Sequence, residues 1–292
     1  TLDEKVEGDA IVADAPGDAS DAGNSAGNDA GNNASDVAIA WASGLGESNG
    51  GQLIALVYAS IDLARVSAPI TLGIVKAPIA QQAHVALAKN PKAGGVVAMH
   101  QGPGASCMLL GQRTECLTFD VKVVSPAGKI DRVGGSKLHG GPSPEFYAID
   151  LDGQALAVYA SSMRGGRTIE PIVVPYVAGE TPPAFDLPVC GGLAGYAPDL
   201  HRGTKGELVS VCLGPRPEKG PCAKPVRGDD PDRCPTVAIS SSDGKPITPK
   251  GKDANVLKVE CAAGKQRLVS AGGDITLAST SPLLTDFTTR CP

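Results

Sequence analysis

The sequence predicts an all-β fold assembled from repeated units of antiparallel strands. Three observations lead there. Short apolar and β-branched runs alternate along most of the chain with turns bearing Gly, Asp or Asn, the pattern of strands joined by hairpins. One such run recurs as the second strand of a unit, beginning near Leu53, Val96, Ala155, Leu208 and Leu268; this spacing of about 40–60 residues is close to that of four-stranded sheets repeated radially. Helix signals are scarce, and the one stretch of moderate helical propensity, Gln81 to Ala88, is itself read as strand.

The clearest unit lies between Ser143 and Val177. Glu145 to Ile149 is a strand-forming run. Asp152-Gly153 turns the chain, since Gly accepts the positive φ of a tight hairpin. Ala155 to Tyr159 is almost continuously apolar, as befits a strand buried on both faces. After Arg164-Gly165-Gly166, Thr168 to Val174 forms a third strand, marked by Pro171 and Pro175 as an edge. The same hairpin is found at Val37–Trp41 with Leu53–Tyr58, at His84–Leu87 with Val96–Met99, at Pro198–His201 with Leu208–Val211, and at Val256–Val259 with Leu268–Ser270. In the last four units a Gly stands at or near the start of the second strand. Four or five blade-like units of a β-propeller are the expectation, with β-sandwich domains as the alternative.

A second repetition supports this. Cys116 to Ile130 and Cys234 to Ile247 each begin with Cys, run through a strand and end in a Gly-Lys turn. Both follow the second strand of their unit, so they occupy equivalent places. An apolar strand, a polar hairpin and a third strand ending in Ser-Pro-Ala-Gly-Lys resemble the divergent blades of bacterial cell-surface propeller proteins, from about Asp36 onward. No Trp-Asp signature is present, and aromatic residues make up only 3% of the chain.

Residues 1–35 read as a disordered or extended acidic tether ahead of a disulfide-bonded β-repeat domain, residues 36–292. Up to Asp36 there are nine acidic residues against the single base Lys5, so the net charge of −5 is concentrated in the tether and the rest is nearly neutral. Ala-Gly-Asn recurs at Ala22, Ala26 and Ala30. Such a composition buries too little apolar surface to offset the entropy of ordering. Its acidic spacing fits neither calcium-loop pattern, so it reads as a spacer rather than a metal site. It resembles the linker that follows the lipid-bearing cysteine of bacterial surface lipoproteins, which implies a lipid anchor upstream of residue 1. No basic patch of the kind nucleic-acid binding needs is present.

The eight cysteines carry the clearest chemistry. An even number, with no Cys-x-x-Cys pair and none near a His at ligand spacing, points to disulfides rather than zinc, and so to an oxidising compartment. Cys107 and Cys116 bracket the excursion after one second strand, and Cys222 and Cys234 the equivalent excursion in another, so Cys107–Cys116 and Cys222–Cys234 are expected pairs. Cys190–Cys212 and Cys261–Cys291 are the preferred pairs for the remainder.

No catalytic, cofactor or metal motif is found. His84, His100, His139 and His201 form no metal spacing, and no Gly-x-Ser-x-Gly elbow is present. Gly102 to Ser106 lacks the Lys and helix of a phosphate cradle. Ser241-Ser242-Asp243-Gly244-Lys245 partly resembles the Asp-box turn of sialidase propellers, with Pro246-Ile247 in place of its aromatic, and reads as a hairpin turn. Arg164, Arg167, His201 and Arg202 are ligand-binding candidates because they fall on loops or strand ends of a rigid scaffold.

The function expected is a non-catalytic exported protein of a bacterial cell surface or periplasm, binding a protein or glycan or joining a homo- or hetero-assembly. The alternatives are a glycan-active propeller hydrolase or lyase, and a structural subunit of an extracellular assembly that uses its N-terminal segment. Intact-mass measurement with and without reductant should show the cysteines oxidised in the native protein; eight free thiols would remove the basis for export.

Overall fold

A computed structural model describes residues 11–14, 36–44, 51–76, 83–109, 112–138, 144–162, 168–190, 199–215, 233–247, 258–270 and 273–285. Within these the chain is all-β, made of antiparallel sheets, with a single four-residue helix. It divides into two compact units, Thr1–Ser162 with Val174–Pro182, and Met163–Val173 with Pro183–Pro292.

In the first unit the leading sheet runs in chain order through β1 (Ile11–Asp14), β2 (Asp36–Gly44), β3 (Gly51–Ser60) and β4 (Ile70–Lys76). The second contains β5 (Val85–Lys89), β6 (Val96–Gln101), β7 (Ala105–Leu109), β8 (Gln112–Val124) and β9 (Ile130–Leu138), with β6, β8 and β9 adjacent and β7 paired to the first half of β8. The third is ordered β10 (Pro144–Leu151), β11 (Ala155–Ser162) and β12 (Thr168–Pro175), and the division between units falls within β12. In the second unit, β13 (Asp199–Arg202), β14 (Leu208–Pro215), β15 (Arg233–Ser240) and β16 (Pro246–Ile247) form one sheet. Another is made of β17 (Lys258–Ala262), β18 (Lys265–Ser270) and β19 (Gly273–Thr276), followed by α1 (Pro282–Thr285).

The recurrent second strands of the sequence are β3, β6, β11, β14 and β18. Residues 54–60 of β3, all of β6 and residues 155–160 of β11 are buried. Successive side chains of a strand point to opposite faces, so an unbroken buried run requires cover on both. Part of that cover comes from neighbouring sheets. Ala38, Ala40, Ile54, Leu56 and Leu72 of the first sheet pack with Val85, Val96, Ala98 and Val124 of the second. Phe119 of β8 meets Phe146 of β10 with ring centroids 5.9 Å apart. In the second unit Val209, Val211, Val237 and Ile239 pack against Val259, Leu268 and Ile275. Ala and Val supply much of these layers, which is how so few aromatic residues suffice.

Two repeated turns pin the register. Gly95, Gly153, Gly206 and Gly264, which precede second strands, all have φ between 70° and 87°. The Gly-Lys turns are also equivalent. Ser125 N–H donates to the Lys129 carbonyl at 3.0 Å, Gly128 N–H to Ser125 C=O at 2.9 Å, and Lys129 N–H to Ser125 Oγ at 3.1 Å. Ser241, Gly244 and Lys245 repeat these three bonds at 2.8, 2.9 and 3.2 Å. Ala127 stands where the other turn has Asp243, so the backbone and Ser close the turn and the acid is dispensable.

Two features differ from the sequence expectation. The excursion bracketed by Cys107 and Cys116 is itself a hairpin, because Gln112 to Cys116 extend β8 and pair with β7. The N-terminal segment read as a tether contains a strand: Ile11 to Asp14 pair with Ala40 to Val37. An apolar Ile-Val-Ala run can join a sheet edge despite the composition around it.

Gly95 is the tightest of the turn positions. A Cβ there would lie 2.2 Å from the Val124 carbonyl oxygen and 2.7 Å from the Tyr58 hydroxyl, which itself donates to that carbonyl at 2.6 Å. At Gly153, also at φ 70°, nothing stands within 4 Å of such a Cβ. Gly95→Ala is therefore expected to destabilise by about 2–4 kcal/mol and Gly153→Ala by about 1 kcal/mol in urea denaturation. Equal losses would mean that φ alone, and not the Tyr58 contact, sets the requirement.

Candidate functional site

His201 is a buried residue with a carboxylate and a serine hydroxyl beside its ring. It lies on β13 two residues after Asp199, so both side chains share a face. The ring is 5% exposed as a residue. Its Nε2 is 2.7 Å from Asp199 Oδ2, a contact not aligned for a straight hydrogen bond. Its Nδ1 is 2.9 Å from Ser279 Oγ.

The serines come from the segment after β19. Backbone bonds bring it there: Thr204 N–H donates to Thr276 C=O and Ala278 N–H to Arg202 C=O, both at 2.8 Å. Ser281, fully buried, donates its hydroxyl to Asp199 Oδ2. Its backbone N–H donates to Gln266 Oε1 at 2.7 Å, and its carbonyl accepts from Gln266 Nε2 at 3.2 Å. Ser279 is exposed.

Two ring nitrogens with two different neighbours select a tautomer. A neutral ring carries its proton on Nε2, facing the carboxylate, and accepts the Ser279 O–H at Nδ1. Burial alone would raise the Asp199 carboxyl. The nearby His201 ring and the Ser281 hydroxyl outweigh that and hold it below the ordinary value.

Arg202, the next residue, points to the other face and donates to the Gly206 carbonyl at 2.8 Å, holding its own hairpin turn. His201 and Arg202 therefore do not converge on one site. Arg164 and Arg167 lie outside the described residues, as do Cys222, Cys291 and His139. His84 is exposed. His100 is buried, with Nδ1 2.8 Å from the Gln101 carbonyl oxygen, and burial depresses its pKa. Asp243, within the Asp-box-like turn, is held at about 2 by hydrogen bonds from Lys245 and Ser241.

Cys190 is bonded to Cys212, with Cα atoms 6.0 Å apart. The bridge fixes the irregular segment 183–190 over the face of β14 opposite the hydrophobic layer. The same segment is held by Asp186, whose N–H donates to Gly244 C=O at 2.9 Å and whose carbonyl accepts from Ser240 Oγ. Cys116 and Cys261 are also disulfide-bonded. The side chains of Cys107 and Cys234 lie outside the described residues. Among the described residues no cysteine is free, and no group of three or more His, Cys, Asp or Glu could hold a metal ion.

Sequence reasoning singled out His201 but not Asp199, Ser279, Ser281 or Gln266. Asp-x-His on a strand is a signal that two side chains share a face. Nothing local ties either to a serine some eighty residues on.

Comparison with known proteins supplies no further assignment: no family model, curated protein or solved structure matches the chain.

A group whose folded pKa is depressed stabilises the fold above its unfolded pKa, about 3.9 for Asp, and ceases to do so as pH falls through the folded value. Asp199→Asn should therefore lower stability at pH 7, with the difference from the native protein closing below about pH 4. Urea denaturation of both proteins at pH 7 and pH 3 tests this, and a gap unchanged between the two would contradict it.

Proposed function

We propose that this chain is an exported binding and assembly protein of a bacterial cell surface or periplasm, built on a propeller-like β scaffold. The stacking of consecutive sheets within each unit and the two equivalent Gly-Lys turns support the scaffold reading: blades of a propeller are consecutive meanders that cover one another face to face. The Cys190–Cys212 bridge suits an oxidising compartment.

The observation that carries the assembly role is the pairing of Ile11–Asp14 with the edge of β2. That strand is separated from its acceptor by residues 15–35, the Ala-, Gly-, Asn- and Asp-rich spacer. Linking two pairing strands through a short chain segment gives an effective concentration on the order of millimolar. Pairing within one chain then dominates in dilute solution. In a dense surface array the same strand can serve the β2 edge of a neighbour, since strand exchange needs no new contact.

The partner is thus a second copy, and exchange can be read by cross-linking. Ala13 and Ala38 are paired directly across β1 and β2. Equal amounts of single variants Ala13→Cys and Ala38→Cys, mixed at high concentration and oxidised, should give a mixed disulfide dimer. Light scattering should show association of the full chain that a version starting at Asp36 lacks. Monomers at both lengths with no mixed dimer would rule the reading out.

A further inference from the structure

The chain Asp199–His201–Ser279 holds the elements of an activated nucleophile: an exposed hydroxyl, a base within hydrogen-bond reach, and a carboxylate beside the other ring nitrogen. We propose that Ser279 is a reactive serine that accepts acyl groups from uncharged carboxylic esters, with His201 as its general base and Asp199 as the residue that positions the ring. This goes beyond the assembly role and rests on different residues.

The two serines of the cluster differ in a way that separates clamping from chemistry. Ser281 is fully buried, donates to Asp199, and is locked by both ends of Gln266. With the backbone bonds of Thr204 and Ala278, that is enough to hold the segment on β13. Ser279 adds nothing needed for that purpose. Its hydroxyl meets a buried imidazole from the solvent side, at 2.9 Å, where a substrate can reach it. Asp199, which accepts the Ser281 hydroxyl, sets a carboxylate beside Nε2, where it faces the charge that the ring carries while Nδ1 holds the transferred proton. The order of groups is that of hydrolytic triads with the two ring nitrogens interchanged, which alters which side of the ring faces the substrate but not the proton transfer. The carboxylate next to the ring disfavours anionic esters, hence the uncharged substrate class.

The steps balance with water as the only co-reactant. Ser279 Oγ bonds to the carbonyl carbon while its proton passes to His201 Nδ1. The C–O bond to the alcohol breaks, and the alkoxide leaves with that proton. Water then adds to the acyl-serine, gives a proton to Nδ1, and the Oγ–C bond breaks to release the carboxylic acid as Oγ recovers the proton.

The test uses the intact protein with p-nitrophenyl acetate and a fluorophosphonate, the modified residue being mapped by peptide mass spectrometry. Ser279 should be labelled at least about a hundredfold faster than Ser106 and Ser242, which are exposed without an imidazole partner, the scale of general-base assistance. Ser279→Ala should abolish the adduct with an unchanged melting temperature. His201→Gln and Asp199→Asn should lower the labelling rate of Ser279 in protein that remains folded by circular dichroism. Should His201→Gln unfold, Ser279→Cys provides the second measurement: its thiol should react with iodoacetamide faster at pH 7 than a cysteine placed at Ser242. Labelling of Ser279 no faster than of Ser242, or a Cys at 279 of ordinary reactivity, would overturn the proposal and leave the cluster a structural clamp.

Discussion

A strand that is apolar on both faces cannot sit at a surface, and most of this architecture follows from that constraint. β3, β6, β11 and β14 each carry runs in which inward and outward side chains are alike excluded from water. One neighbouring strand on either side satisfies the backbone but leaves both faces bare. Each sheet must therefore be covered twice. Within the first unit the first and second sheets cover one another through Ala38, Ile54 and Leu56 against Val96, Ala98 and Val124. In the second unit, one face of β14 meets β17 and β18 through Val209 and Val211, and the other is closed by the irregular segment that the Cys190–Cys212 bridge holds down. At roughly 25 cal/mol per Å² of apolar surface, such layers are the dominant favourable term.

Much of this could be read from the residues. The near-continuous apolar runs gave the second strands almost to the residue, because burial on both faces leaves a signal that does not depend on period. The glycines before them were legible for a local reason, the positive φ that a tight reversal needs. The Ser-to-Lys turns declared themselves by repetition. What could not be read was pairing at a distance. Gln112 to Cys116 look like a polar loop, and become strand only because β7 folds back on them. Ile11 to Asp14 are four residues in a low-complexity stretch, and only the free edge of β2 makes a strand of them.

The polar cluster on β13 was half visible for the same reason. His201 stood out as a residue at a strand end, while Asp199, two residues before it on the same face, did not. It was set beside Arg202 because both fall at a strand end, whereas alternation sends adjacent side chains apart. The serines arrive through backbone bonds formed near residues 276–278, contacts with no local signature. The surroundings of a buried imidazole decide whether it is a fastening or a base. Here both are present, with a buried serine on the carboxylate and an exposed one on the ring.

The strand order carries a consequence for how the molecule comes into being. In every sheet but the second, where β7 folds back so that β6 pairs β8, neighbouring strands are consecutive in the chain. Closing such meanders costs little loop entropy. A chain emerging from one end can therefore finish one sheet before the next has been supplied, and within a unit a completed layer offers its apolar face to its successor. The longest wait falls in the leading sheet, whose first strand pairs only after residues 15–35 and β2 have followed it. A folding intermediate with the β2 edge still open is thus built into the topology.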